Sequence, residues 1–197
     1  MPCSIAQCLE AIGEWWTVLI LRDAFLGVTR FDAFQRRLGI ARNVLTQRLN
    51  HLMDHGILER VAYQENPVRY DYRLTDKGRD LWPVLTMMRQ WGDRWVAPAG
   101  PPREAVHLTC GHVSLAVPVC DKCGEALELA DIKAVSGPGA GVAWTEERRE
   151  RSDWSDEGRR RLKGPRARAS GASAGKTVRK LLQTFPGNSF ASPRGEA

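Results

Sequence analysis

The groups in this chain best able to do chemistry are its five cysteines and four histidines, and spacing sorts them. One cluster reads Cys110-Gly111-His112, seven residues, then Cys120-Asp121-Lys122-Cys123-Gly124. Two thiolates at C-x-x-C spacing ahead of a glycine are a common half of a tetrahedral zinc site. Cys110 with His112 or His107 could supply the other half. The expected metal set is therefore Cys110, His112, Cys120 and Cys123, with zinc as the ion. Zinc would also explain how a segment of about 30 residues folds without a sufficient apolar core. The first half is irregular, C-x-H rather than C-x-x-C, so a metal-free ribbon and a redox thiol pair stay open. Cys8 falls on an apolar helical stripe and reads as a buried small hydrophobe.

His51 and His55 stand one helical turn apart, but no glutamate follows in the H-E-x-x-H manner. They read as flank residues of a helix. No Ser/His/Asp arrangement, phosphate-binding loop or paired-carboxylate motif is present. The expectation is a protein that is not an enzyme.

A third constellation is Arg42, Asn43, Thr46 and Gln47. They share a helix with Leu45, Leu49, Leu52 and Met53, which fall at i, i+4, i+7 and i+8, one apolar stripe. The opposite face then offers donors and short polar groups. Arg suits guanine O6 and N7, and Asn or Gln suits adenine N6 and N7, in a major groove wide enough for one helix.

Elements must position these groups. Residues 5–26 read as helix interrupted at Gly13. Residues 31–38 form a short amphipathic helix, Gly39 interrupts, and a second helix runs over about 42–55 to Gly56. A hairpin follows, with strands 57–63 and 69–74 around a Gln64–Pro67 turn. Thr75 suits an N-cap for a last helix over about 76–96, which Pro83 bends unless the helix starts there. Leu81, Leu85, Met88, Trp91 and Trp95 stripe that helix. Residues 98–102 are a linker, 104–135 the cysteine-bearing segment, and 136–141 a second breaker.

Helix, glycine turn, helix and two-stranded hairpin is the order of a winged helix-turn-helix. The fold class is α+β: mostly α with a β-hairpin wing, then a small Cys-rich ribbon-like segment and a disordered basic tail. In this frame Arg42, Asn43, Thr46 and Gln47 read bases. Arg36, Arg37 and Arg48 neutralise phosphates from the flanks, and Arg69 reaches the backbone or minor groove from the wing. The bland alternative is a solvated helix surface.

The net charge of +6 sits in one place. Residues 146–197 hold 13 Lys and Arg against 7 Asp and Glu, while residues 1–145 hold 16 of each. The domain must then bind DNA through a local patch, and the tail would add at most salt-sensitive, sequence-blind affinity. No apolar run approaches the roughly 20 residues of a membrane span, and Met1–Ile5 lacks a basic leader. A cytoplasmic location without membrane contact is expected, which argues against structural disulfides.

Residues 3–95 resemble the HxlR-type winged-helix regulators of bacteria. The carriers are the Cys3-Ser4-Ile5 start, Glu14-Trp15-Trp16-Thr17, the Leu45-Thr46-Gln47-Arg48-Leu49 helix, and Tyr72-x-Leu74-Thr75-x-x-Gly78. The resemblance implies a domain over 3–97 with residues 42–55 as recognition helix and 58–74 as wing. It implies a homodimer, built by the first and last helices, on a two-fold symmetric double-stranded DNA operator. Trp91 and Trp95 fit a helix buried against a partner, although packing in the monomer core would also use them. Cys3 stands where some relatives sense oxidants or electrophiles, and a helix start can activate such a thiol. At Ala41 relatives often carry Ser, and Ala cannot cap the helix, a loss of about 1 kcal/mol. Two alternatives stay open: a metal- or effector-responsive regulator sensing through 104–135, and a winged-helix scaffold for protein contacts.

Overall fold

Gly13 divides the apolar N-terminal stretch into α1 (Ser4–Ile12) and α2 (Trp15–Phe25). The computed structural model describes residues 3–133, 135 and 137–139. The chain falls into two units, residues 1–116 and 117–197. The basic tail over 145–197 lies outside the described residues.

In the first unit, α3 (Phe31–Leu38) and α4 (Arg42–Asp54) follow α2. Gly39 between them has φ +63°, a left-handed conformation that closes α3 and that glycine adopts without strain. Ala41 provides no side-chain cap for α4. The helix is held instead by its inner face: Leu45, Leu49 and Leu52 are buried beside Phe34, Ile20 and Leu21.

β1 (Leu58–Glu65) and β2 (Val68–Leu74) form the antiparallel hairpin. The first strand is longer than its sequence suggests, and the turn shrinks from Gln64–Pro67 to Asn66-Pro67. Pro67 lacks the N–H to continue the ladder, whereas Gln64 and Glu65 remain paired with Arg69 and Val68. An irregularity between Ala62 and Gln64 sets Tyr63 outside the regular pairing.

The last helix is two helices, α5 (Asp76–Arg79) and α6 (Trp82–Trp95). Thr75 does cap α5, its Oγ1 accepting from Gly78 N–H at 3.1 Å. Pro83 lies within the first turn of α6, where a missing N–H breaks no bond. Leu81 and Leu85 pack against the core, but Met88, Trp91 and Trp95 are 51%, 63% and 64% exposed. The two tryptophans are therefore not part of this core. β3 (Val106–His107) pairs with β4 (His112–Val113) to end the unit.

The second unit, described by itself, has a bridge between Val119 and Ala126 around the Cys120–Gly124 turn, and a 3₁₀ turn at Leu129–Asp131. The segment 104–135 is thus divided between the units. Among the described residues no helix is long and apolar enough to cross a membrane.

Gly78 meets a steric demand: a Cβ there would overlap the Ile57 carbonyl oxygen. Gly39 has open space but a positive φ. Gly78→Ala is expected to destabilise by about 2 kcal/mol or more through backbone displacement, and Gly39→Ala by about 1 kcal/mol. Urea unfolding midpoints check this, and equal losses would refute the steric account.

Candidate nucleic-acid interface

Because α4 buries its leucines, Arg42, Asn43, Thr46, Gln47 and Asn50 all lie exposed on the other side. Thr46 Oγ1 donates to the Arg42 carbonyl at 2.9 Å, one turn back. The Arg42 guanidinium lies 4.9 Å from the centre of the Phe31 ring, which supports it at the start of the helix. All four base-reading candidates therefore share one exposed helix face.

The flanking arginines divide. Arg36 is exposed. Arg37 Nε donates to Asp23 Oδ2 at 3.0 Å, and Asp23 is fully buried on α2. Arg22 holds the other carboxylate oxygen at 2.9 Å. A buried carboxylate needs such partners, so Arg37 first serves to fasten α3 to α2. Arg48 approaches Glu14 at 3.7 Å, and its Nε is buried without a partner. Its guanidinium is engaged beside α2, away from the exposed face. A phosphate would have to compete with these carboxylates. Arg69 is exposed near the tip of the wing.

Three arginines that the sequence did not single out also stand at the wing. Arg30 stacks on Tyr63 and Arg60 on Tyr70, each 4.2 Å from the ring centre. Arg73 Nη2 donates to Asp71 Oδ2 at 3.1 Å. The alternation of Arg69, Asp71 and Arg73 along β2 was the available signal for the last. It gave no hint that Asp71 is buried. Asp71 bridges to Arg30, accepts from Thr29 Oγ1 at 3.0 Å, and so fixes the wing to the segment before α3. Burial raises the Asp71 pKa, but hydrogen bonds from Arg73 and Thr29 and the charges of Arg73 and Arg30 outweigh it, for a net lowering.

A carboxylate with a lowered pKa stabilises the fold above the ordinary Asp range, near pH 4, and loses that contribution as pH falls through its own pKa. Wild type is expected to lose more stability than Asp71→Asn between about pH 6 and pH 3. At neutral pH the variant should already be about 2 kcal/mol less stable, from lost charged hydrogen bonds. Chemical denaturation at each pH checks both, and parallel curves would refute the assignment.

The histidines of α4 tie elements together. His51 Nε2 lies 3.0 Å from the Ala11 carbonyl oxygen on α1, and His55 Nδ1 lies 2.9 Å from the His51 carbonyl oxygen. Cys3 is half-buried at the N-cap of α1, and Cys8 is half-buried against the core.

The cysteine turns fall in different units. In the first unit Gly111 N–H donates to the His107 carbonyl at 2.8 Å, with Gly111 at φ +71°. In the second, Gly124 N–H donates to the Cys120 carbonyl at 2.9 Å, with Gly124 at φ +72°. His107-x-x-Cys110-Gly111 thus folds as the counterpart of Cys120-x-x-Cys123-Gly124, a parallel that the C-x-H reading passed over. His107 Nδ1 lies 3.3 Å from Cys110 Sγ. Hydrogen bonds from the His112 backbone and ring, and from His107, lower the Cys110 pKa to about 7. Backbone bonds from Cys123 and Lys122 lower that of Cys120. Among the described residues no group of three or more His, Cys, Asp or Glu side chains is placed to hold a metal ion.

With this geometry in view, the known proteins that resemble the chain are informative. Residues 11–99 match the model of the HxlR-like helix-turn-helix family. An uncharacterized HTH-type transcriptional regulator of Mycobacterium tuberculosis is 43% identical over 137 residues, 69% of this chain and 87% of that protein. One from Synechocystis is 37% identical over 95 residues, 48% of this chain and 70% of its own. A transcription factor structure from Pseudomonas aeruginosa is 40% identical with a TM-score of 0.54, covering 74% of this chain and 99% of that one. A further transcription factor structure gives 40% identity and a TM-score of 0.62 over 68% and 95%. The winged helix-turn-helix is therefore accompanied by sequence identity well above what fold likeness alone requires, and this chain belongs to the HxlR-like helix-turn-helix family of transcriptional regulators.

Proposed function

We propose that the chain binds a two-fold symmetric operator as a homodimer, with α4 in the major groove. The observation that carries this reading is the division of α4 into a fully buried leucine stripe and an exposed face of Arg42, Asn43, Thr46 and Gln47. Bases are read from that face, and the backbone is met by Arg36 and by Arg69 on the wing. Arg37 and Arg48 act mainly through their carboxylate partners. The domain over residues 3–97 performs this task, in the cytoplasm where its DNA target lies.

A homodimer is supported by apolar surface that the first unit leaves uncovered. Ile5 and Leu9 on α1 are 73% and 58% exposed, and Met88, Trp91 and Trp95 on α6 are exposed as well. Aromatic and methionine side chains gathered in this way favour a protein partner over water. Two-fold pairing of chains would present two α4 helices to two half-sites about one DNA turn apart.

Cys3, at the start of α1, is the candidate through which oxidants or electrophiles alter that dimer. A metal-responsive reading is favoured by one observation, the matching turns at His107–Gly111 and Cys120–Gly124. On that reading zinc is the ion, and each turn by itself offers a pair of donor side chains, His107 with Cys110 and Cys120 with Cys123. The scaffold reading has no comparable support, because it leaves the exposed polar face of α4 unused.

Fluorescence anisotropy with DNA from the gene's own upstream region tests the proposal. Binding should exceed that of scrambled DNA by about a hundredfold or more, and the Arg42→Ala/Gln47→Ala variant should lose that excess. Equal binding to both DNAs, indifferent to the variant, would reject α4 as the reader. Oxidation of Cys3 and removal of zinc by a chelator are scored on the same signal. Separately, Trp91→Ala/Trp95→Ala should weaken self-association by about a hundredfold or more, since buried interface aromatics contribute about 2 kcal/mol each. Sedimentation velocity checks this, and an unchanged dimer would place the interface elsewhere.

A further inference from the structure

The first unit contains an open pocket of about 360 Å³ against α1, which none of the DNA-reading groups lines. Its walls come from α1 (Ser4 to Ile12), the C-cap of α4 at His55, Ile57 just ahead of β1, Lys77 on α5, and Leu81 at the start of α6. Cys8, Ile12, Ile57 and Leu81 give it an apolar lining, and His55 and Lys77 stand among its walls. Among the described residues no aspartate or glutamate lines it. A pocket of this volume is in the range that receives small organic ligands, about 300–1,000 Å³.

Its chemistry is one-sided. The Lys77 ammonium is anchored at this wall by donating to the His55 carbonyl at 2.7 Å. An ammonium has three donors, so that bond leaves others for an incoming acceptor. A largely apolar open pocket with a cation at its wall complements an apolar body that carries one carboxylate. Burial of the body supplies affinity, and the charge-assisted bond to Lys77 sets orientation.

We propose that this pocket is a binding site for a small apolar carboxylate, with Lys77 as its anion-recognising residue. The ligand would touch α1 and the C-terminal end of α4 together. Those elements are already joined by His51 and Ala11, so occupancy would brace the recognition helix against α1. This consequence for DNA rests on the operator-binding proposal; the site itself does not.

The test uses the full-length protein and 1-naphthoate as probe, with 1-naphthalenemethanol as its neutral counterpart. Calorimetry should give saturable naphthoate binding at one per chain, at least tenfold tighter than the alcohol. Lys77→Met, at an exposed position, should abolish that preference. Naphthoate should also slow iodoacetamide labelling of Cys8, read by peptide mass spectrometry, without slowing Cys123. Absence of binding, equal binding of acid and alcohol, a preference that survives Lys77→Met, or unaltered Cys8 labelling would each overturn the site. Operator affinity is measured in parallel. A protein that binds naphthoate as expected but shows no specific DNA binding would overturn the operator reading and leave the site standing.

Discussion

The arrangement of the exposed face of α4 depends on one constraint: the helix can satisfy its leucines in only one orientation. Leu45, Leu49 and Leu52 are essentially without solvent exposure, and each buried leucine contributes on the order of 2 kcal/mol. Turning the helix to hide Arg42 or Gln47 would expose those leucines and bury a charge or an unpaired amide. The helix has no side-chain cap to define its start. Its direction and rotation therefore come from the packing beneath it, with α2 and Phe34 of α3 as the opposing surface.

Two buried carboxylates complete that support. Asp23 gathers Arg22 and Arg37 and fastens α3 to α2. Asp71 gathers Thr29, Arg30 and Arg73 and fastens the wing to the segment ahead of α3. Both convert arginines near the DNA-facing side into scaffold. A low-dielectric interior makes an unpaired carboxylate expensive, so these pairs form before any phosphate arrives. The count of basic residues near α4 consequently overstates the charge free to meet DNA. Arg36 and Arg69 stand exposed.

The cysteine-bearing turns show local chemistry resolved by backbone geometry. A glycine with positive φ after each Cys lets a backbone N–H turn toward the residue four positions earlier. The same local fold then appears with His107 leading one turn and Cys120 leading the other. Hydrogen bonds to sulfur favour the thiolate in both, which is the form that binds metal.

The amino-acid sequence by itself determined the order of the first four helices and the hairpin, the inner and outer faces of α4, and the cap at Thr75, because each follows from periodicity or a local hydrogen bond. It also carried the family likeness, through short segments at fixed spacing. Tertiary structure decided what periodicity cannot encode. Asp71 alternates with arginines as a surface residue would, yet long-range contact with Thr29 and Arg30 buries it. Arg37 and Arg48 resemble Arg36 and Arg42 in sequence, and only the placement of Asp23 and Glu14 distinguishes them. Trp91 and Trp95 continue the stripe that begins at Leu81 and Leu85, but the core ends before reaching them. The physical reason is the same in each case: a residue's type and spacing set what it can contact, while burial and pairing depend on which distant segment is brought beside it.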